Sequence, residues 1–129
     1  MTVTLKQLLG LQLVYGLIGI AFNIVSWAVV SQGGVALTTT QPFMGMATLS
    51  LFCLCLVAGY RHHMRAYRIL MGISILVLGG GGIVVHLVNM LYRPEAYPSL
   101  IAWMLAVLIN VFGLVLNLMA ATGKFIDRD

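Results

Sequence analysis

The chain has 129 residues, of which 61% are apolar and only 8% are charged, and its formal net charge is +4. Soluble domains carry roughly a quarter charged residues, so this composition excludes an ordinary water-soluble domain. The small positive charge does not indicate nucleic-acid binding, because a few basic residues that flank apolar segments account for it.

Four apolar runs free of Asp, Glu, Lys and Arg follow one another, at residues 8–30, 43–60, 69–91 and 99–121. A bilayer core roughly 30 Å thick requires about 20 such residues in an α-helix. We therefore predict an all-α membrane protein, with a four-transmembrane-helix bundle forming one integral membrane domain over residues 1–129. The first run is kept as a helix, because it is longer than the apolar region of a cleavable signal peptide.

The basic residues predict which way these helices cross the membrane. Of the seven Lys and Arg residues, all but Arg93 flank the runs on the side that the two termini share. Positive charge in short loops marks the cytoplasmic side. We therefore expect both termini in the cytoplasm and the protein in the inner (plasma) membrane of the cell. The six residues are Lys6, Arg61, Arg65, Arg68, Lys124 and Arg128.

The two remaining connections are expected on the outer side. The first, SQGGVALTTTQP, is uncharged and rich in Gly and Thr, which is typical of an irregular loop. The second, YRPEAYPS, has two prolines that end the third helix and begin the fourth. Its Tyr92 and Tyr97 are expected at headgroup level, where amphipathic rings are favoured.

Several polar residues interrupt the apolar runs and are expected to face the bundle interior, since polar groups in hydrocarbon need partners. Asn110 and Asn117 lie two turns apart on one face of the fourth helix, and we predict that they form hydrogen bonds between helices. A second set falls in the outer third of the layer and predicts a polar intramembrane cluster. Its members are Asn23, Ser26, Thr48, His86 and Asn89.

Four consecutive glycines occur in the third run, within LVLGGGGIVVHLVNML. Such a run binds phosphate only between a strand and a helix N-terminus, whereas these glycines lie in mid-span. We predict a helix-packing surface, because small residues let neighbouring backbones approach closely. The alternative is a kinked or unwound segment that lines a substrate path. The predicted packing glycines are Gly16, Gly19, Gly79, Gly80, Gly81 and Gly82.

His86 is an ionisable residue inside the membrane, which makes it a functional candidate. Its alternatives are a neutral hydrogen-bonding strut, a proton or ion site, and a haem ligand that would require a second chain. Cys53 and Cys55 lie two residues apart and point away from each other on a helix, so no metal site is predicted. We predict no cofactor, with haem bound through His86 as a minor alternative.

The connection RHHMRAYR concentrates positive charge between the second and third runs. We expect it to contact anionic lipid headgroups or, alternatively, an acidic cytoplasmic partner. The residues concerned are Arg61, His62, His63, Arg65 and Arg68.

The chain offers few groups for catalysis, because its acidic residues all fall outside the apolar runs, and we predict that it is not an enzyme. We favour a non-catalytic subunit or accessory protein that packs into a homo-oligomer or larger membrane complex through its glycines and buried amides. The alternative is a small transporter or channel component with a path along Asn23, Thr48, His86 and Asn89. A haem- or quinone-binding electron-transfer subunit is a third interpretation.

Overall fold

The computed structural model describes residues 2–127, and this part of the chain is helical, with no named strand. Four helices are long and apolar enough to cross a membrane, which confirms the prediction of four apolar helices. They are α1 (Leu5–Ser31), α2 (Pro42–Tyr60), α3 (Met64–Tyr92) and α4 (Leu100–Thr122). Arg128, one of the six basic residues expected on the cytoplasmic side, lies outside the described residues.

The helix ends follow from local capping chemistry. At the start of α1, Thr4 Oγ1 accepts the Gln7 N–H at 3.2 Å, and Gln7 Oε1 accepts the Thr4 N–H at 3.0 Å. The side chains of Gln41 and Ser99 accept first-turn N–H groups of α2 and α4 at 2.7 and 3.1 Å. Helix α4 ends at Thr122 and is capped by Gly123, whose φ of 71° lies in the left-handed region that glycine adopts without strain.

Helix α3 begins earlier than the apolar run predicts, at Met64 instead of residue 69. Arg65 and Arg68 therefore lie on its first turns and not in a loop, which corrects the prediction. The physical reason is that a helix can extend beyond the hydrocarbon while the guanidinium groups of its arginines reach water or headgroups.

The middle of α3 is not a standard α-helix. Residues Met64–Ser74 and Val85–Tyr92 are α-helical, and Ile75–Val84 between them form a π-helix. This segment contains the four glycines, which have little preference for the α-helical ladder. Because π-helical segments occur frequently at functional sites, the space beside this part of α3 is a candidate functional site.

The helices form an incomplete ring. Helix α1 packs against α2 and α4, and α3 packs against α4, whereas α2 approaches α3 only through Met64–Ser74. The connection of residues 32–41, here called the long loop, marks the loop end of the bundle. At the opposite, termini end, the Leu5 N–H donates to Ile126 O and the Ile126 N–H donates to Val3 O, both at 2.9 Å. These contacts join the two ends of the described chain.

The hydrophobic core fills the half of the bundle nearest the termini end. Leu8, Tyr15, Leu56, Tyr67 and Met71 are among its fully buried side chains. Most of the remaining apolar surface faces outward, since at most 28% of the most apolar stretch of any span is buried. An outer surface of this kind suits lipid and would promote aggregation in water.

Candidate functional site

A cavity of about 280 Å³ is lined by residues of all four helices and of the long loop. It is near the lower limit of ligand pockets, which measure roughly 300–1,000 Å³. The described lining contains no Asp, Glu, Lys or Arg, so the cavity offers a bound molecule hydrogen bonds but no counterion. Its polar residues are Tyr15, Asn23, Thr38, Thr40, Thr48, His86 and Asn110.

Three of the five residues predicted to form a polar cluster line this cavity: Asn23 on α1, Thr48 on α2 and His86 on α3. Asn23 Nδ2 donates to Gly19 O, one turn earlier, at 2.9 Å. Its amide lies against Gly45 of α2, where any Cβ atom would collide with the asparagine. Gly45 therefore lets the amide of Asn23 remain at the cavity wall.

His86 is buried, with 3% of its surface exposed, and both its ring and its backbone are held. The Nδ1 atom lies 2.8 Å from the Tyr97 hydroxyl, and Trp103 Nε1 donates to His86 O at 3.0 Å. Nε2 has no hydrogen-bond partner among the described residues, and no fully buried side-chain nitrogen or oxygen there lacks one. Nε2 is therefore not fully buried, and His86 is one of the residues that line the cavity.

The position of Tyr97 differs from the prediction. Tyr92 is 80% exposed, in keeping with a ring at the membrane surface, but Tyr97 is only 6% exposed. The short 3₁₀ helix Pro94–Ala96 leads the chain back toward the bundle, and the Tyr97 hydroxyl reaches His86. The physical reason is that a buried histidine requires a hydrogen-bond partner, which the sequence analysis did not assign.

Asn110 forms part of the cavity wall, although the sequence analysis predicted only a bond between helices for it. Its Nδ2 donates to Ala106 O at 2.8 Å, and its Oδ1 lies 3.4 Å from the Tyr15 hydroxyl, which is long for a hydrogen bond. The amide lies against Gly82 of α3, where a Cβ atom would collide with it. The Asn110 amide thus occupies the space beside Gly82 in the same way that the Asn23 amide occupies the space beside Gly45.

Ser26 and Asn89, the other two residues of the predicted cluster, do not line the cavity but hold the long loop over it. The Leu37 N–H donates to Ser26 Oγ at 3.0 Å, and Asn89 Nδ2 donates to Thr39 Oγ1 at 2.9 Å. The neighbouring residues Thr38 and Thr40 line the cavity. Neither threonine was predicted to belong to the site, although the run TTT in this uncharged loop was an available signal.

A second polar cluster, formed by side chains of α1, α3 and α4, lies in the half of the bundle nearest the termini end, where the Tyr67 ring also lies against Gly59 of α2. Gln12 Nε2 donates to Asn117 Oδ1 at 2.9 Å, and the Tyr67 hydroxyl donates to Gln12 Oε1. Gln12 and Tyr67 are completely buried, and Asn117 is 1% exposed. The sequence analysis assigned no role to Gln12, although a glutamine inside an apolar run was itself a signal.

The predicted packing glycines differ in their surroundings. A Cβ atom at Gly16 or Gly19 would meet the side chain of Cys53 or Leu49 on α2, so α1 and α2 approach closely at these positions. In α3, Gly79 has only Leu114 within 4 Å of such an atom, at 3.7 Å. A Cβ atom at Gly80 or Gly81 would have no described neighbour within 4 Å, so these two do not pack against another helix of the same chain.

The basic residues of the α2–α3 connection and of the first turns of α3 lie at the termini end. Arg61, His62, His63 and Arg65 are exposed, and His62 Nδ1 lies 3.4 Å from Asp127 Oδ1. Arg68 Nε donates to Ala121 O at 3.0 Å, which satisfies a free carbonyl near the end of α4. Arg65 and Arg68 also line a shallow depression with Met64, Ile69 and Ala121.

The described side chains that line the cavity can form hydrogen bonds but carry no permanent charge. In the part of the chain that the structure describes, no three His, Cys, Asp or Glu side chains are placed to hold a metal ion. No protein-family model matches the chain, and no curated protein or solved structure matches it either. Function is therefore inferred from the geometry of the cavity.

Proposed function

We propose that this protein is a small membrane transporter, or the binding component of one, that takes an uncharged molecule into the cavity between its helices. The observation that carries the proposal is the convergence of Asn23, Thr48 and His86 on one cavity from three helices. Hydrogen-bonding groups that project into open space inside a membrane bundle typically mark a substrate or ion pathway.

The lack of charge around the cavity favours a neutral molecule. A charged group moved from water into a membrane interior must be paired there, since its desolvation is costly. The described lining provides amide, hydroxyl and imidazole groups and no side chain with a permanent charge. A molecule with a few hydrogen-bonding atoms and an apolar remainder suits this lining, whose other residues are largely apolar.

The packing toward the termini end closes the cavity on that side. The ring of Tyr15 contacts Phe52 edge-on at 5.3 Å between ring centres and lies against Gly113 of α4. Beyond it lies the buried cluster of Gln12, Tyr67 and Asn117. The described conformation therefore corresponds to a state closed toward the termini, which we place in the cytoplasm of a cell whose plasma membrane holds the protein.

A second candidate is the non-catalytic subunit or accessory protein favoured by the sequence. The observation that supports it is the open surface at Gly80, where a neighbouring helix from another chain could approach the backbone. Its partner would be a second copy of this chain or another membrane protein. The basic termini end would contact anionic headgroups under either proposal.

Extraction in lipid nanodiscs without detergent, followed by mass spectrometry of retained small molecules and chains, tests both proposals. We expect wild type to retain an uncharged molecule that Thr48→Trp loses, because the indole would fill the cavity. Leu51→Trp is the matched control, since Leu51 is 62% exposed on the same helix and does not line the cavity.

Identical small-molecule content in wild type and Thr48→Trp would overturn the binding proposal. A stoichiometric protein partner, together with that identical content, would favour the subunit proposal instead.

A further inference from the structure

The cavity is open at its side, between α2 and α3. In the described structure no Cα atom of Pro42–Cys55 lies within 8 Å of a Cα atom of Ile75–Tyr92. Packed helices have axes 8–10 Å apart, and their facing Cα atoms approach more closely than that. The two helices thus separate as they run toward the loop end and leave a lateral gap.

Residues from both helices place the cavity at this gap. Met44 and Thr48 of α2 and Val77 and Gly81 of α3 all line it. Met44 is 64% exposed and Val77 is 53% exposed, so each belongs both to the cavity and to the outer surface of the bundle. In a bilayer this surface faces lipid, and the gap joins the cavity to the hydrocarbon.

The loop end is more obstructed than the side. The long loop lies across it with Thr38 buried, and two hydrogen bonds attach that loop to Ser26 and Asn89. A molecule arriving from the aqueous side has to displace this loop, whereas a molecule dissolved in the membrane meets no attached segment at the gap. The lateral route is therefore the open one in this conformation.

The cavity volume limits what fits inside. At about 280 Å³ the cavity lies at the small end of the range of ligand pockets, so it suits a polar head and a few methylene groups and not a whole membrane lipid. The rest of such a molecule requires an exit, and the lateral gap provides one at the depth of the hydrocarbon.

The cavity wall offers both a donor and an acceptor to a polar head. In the neutral tautomer of His86 whose Nδ1 accepts from the Tyr97 hydroxyl, the ring proton lies on Nε2 and is a donor for the occupant of the cavity that His86 lines. Asn23 uses its Nδ2 to bond its own helix, so its Oδ1 remains as an acceptor. The Thr48 hydroxyl can act in either role.

We infer that the occupant is an uncharged lipid whose head carries a hydroxyl and a carbonyl oxygen, and that it reaches the cavity from the bilayer through the gap between α2 and α3. This inference rests on the proposed function and names the chemical class of its ligand. The carbonyl accepts from His86, the hydroxyl donates to Asn23, and the acyl chain leaves between Met44 and Val77.

Photo-crosslinking in phosphatidylcholine vesicles tests the inference on the full chain. The probe is a diacylglycerol with a diazirine on its acyl chain near the glycerol, and the comparison probe is phosphatidylcholine with the same acyl chain. We expect diacylglycerol adducts on peptides that contain Met44, Thr48 or Val77, at roughly ten times the yield of the phosphatidylcholine probe, which corresponds to about 1.4 kcal/mol.

Two variants narrow the gap from opposite sides, Val77→Trp and Met44→Trp, and both substitute side chains that are more than half exposed. The matched control is Leu76→Trp, because Leu76 precedes Val77, is 77% exposed and does not line the cavity. We expect both gap variants to lose roughly nine-tenths of the adducts, a tenfold drop, and the control to keep them.

Equal adduct yields from the two probes would overturn the uncharged head, and yields unchanged in both gap variants would overturn lateral access. The absence of adducts at the cavity would overturn the inference as a whole. None of these results removes the proposed function if wild type retains a water-soluble molecule that Thr48→Trp loses.

Discussion

Two glycine–asparagine pairs shape the cavity wall at the level of single residues. Asn23 and Asn110 each donate to a carbonyl one turn earlier in their own helix, and each amide rests on a glycine of the adjacent helix. A side chain at Gly45 or Gly82 would displace the amide. These glycines therefore leave space for an asparagine amide. This role differs from letting two helix backbones approach each other.

Adjacent substitutions in the glycine run separate these roles. Gly82→Ala is expected to lower the free energy of unfolding by about 1–3 kcal/mol, because the new methyl group forces the Asn110 amide away. Gly81→Ala adds a methyl group with no described neighbour within 4 Å and should leave stability unchanged or raise it by up to about 1 kcal/mol. Reversible unfolding in mixed micelles measures both. Equal destabilisation by the two substitutions would contradict the assignment.

The sequence supported part of the site at this scale. Asn23, Thr48 and His86 could be grouped because depth in a span follows from counting residues, and polar side chains in hydrocarbon must face one another. Tyr97 could not be assigned to His86 in the same way, because that contact depends on how the connection before α4 turns back. The partners of Gln12 likewise depend on which helices are neighbours.

The π-helical segment and the long loop are the two elements that border the cavity without being ordinary α-helix. The π-helix supplies Val77, Leu78, Gly81 and Gly82 to the wall, and the loop supplies Thr38 and Thr40. The loop carries no strand or helix of its own, and side-chain anchors on α1 and α3 hold it in place. These anchors act on residues 37 and 39, on either side of the buried Thr38.

Removing one anchor should loosen the loop. In Ser26→Ala and in Asn89→Ala we expect faster amide hydrogen exchange at residues 35–40, by roughly tenfold for about 1.4 kcal/mol of lost protection. Ser31→Ala is the control, because Ser31 Oγ donates to Trp27 O in its own helix and does not touch the loop. Exchange rates that match wild type in both anchor variants would show that other contacts order the loop.

Helix existence was predictable from the apolar runs, whereas the internal geometry of α3 was not. A charge-free run predicts a span because hydrocarbon demands it, and all four predicted runs correspond to helices. The start at Met64 was missed because a basic turn can be helical outside the hydrocarbon. The π-helical ladder of Ile75–Val84 was missed because hydropathy does not distinguish it from an α-helical ladder.

At the scale of the whole molecule the bundle divides into two unlike halves. Toward the termini end it is densely packed around Tyr15, Tyr67 and Met71, and the two described chain ends pair there. Toward the loop end it opens into the cavity and the lateral gap. The densely packed half and the half with space for a ligand thus lie at opposite ends. We therefore expect the half at the termini end to stay rigid and movement to be confined to the half at the loop end.

The orientation of these halves is testable with single cysteines in a Cys53→Ala, Cys55→Ala background. Gln32→Cys should react with a membrane-impermeant thiol reagent in intact cells, and Arg61→Cys should react only after permeabilisation, because positive charge marks the cytoplasmic side. The cysteine-free parent provides the blank. If Arg61→Cys and not Gln32→Cys reacts in intact cells, the orientation is the opposite one, with the basic end outside the cell.

The buried Gln12 cluster also bears on how the chain is made. The three hydrogen-bond partners of the Gln12 amide, Tyr67, Met71 and Asn117, lie 55, 59 and 105 residues later in the sequence. During synthesis α1 leaves the ribosome long before any of these partners exists, and its amide needs a temporary partner such as water, the insertion machinery or its own backbone. The hydrogen bonds of this amide are complete only after α4 has been synthesised and packed. The final packing of the first helix therefore depends on the last helix.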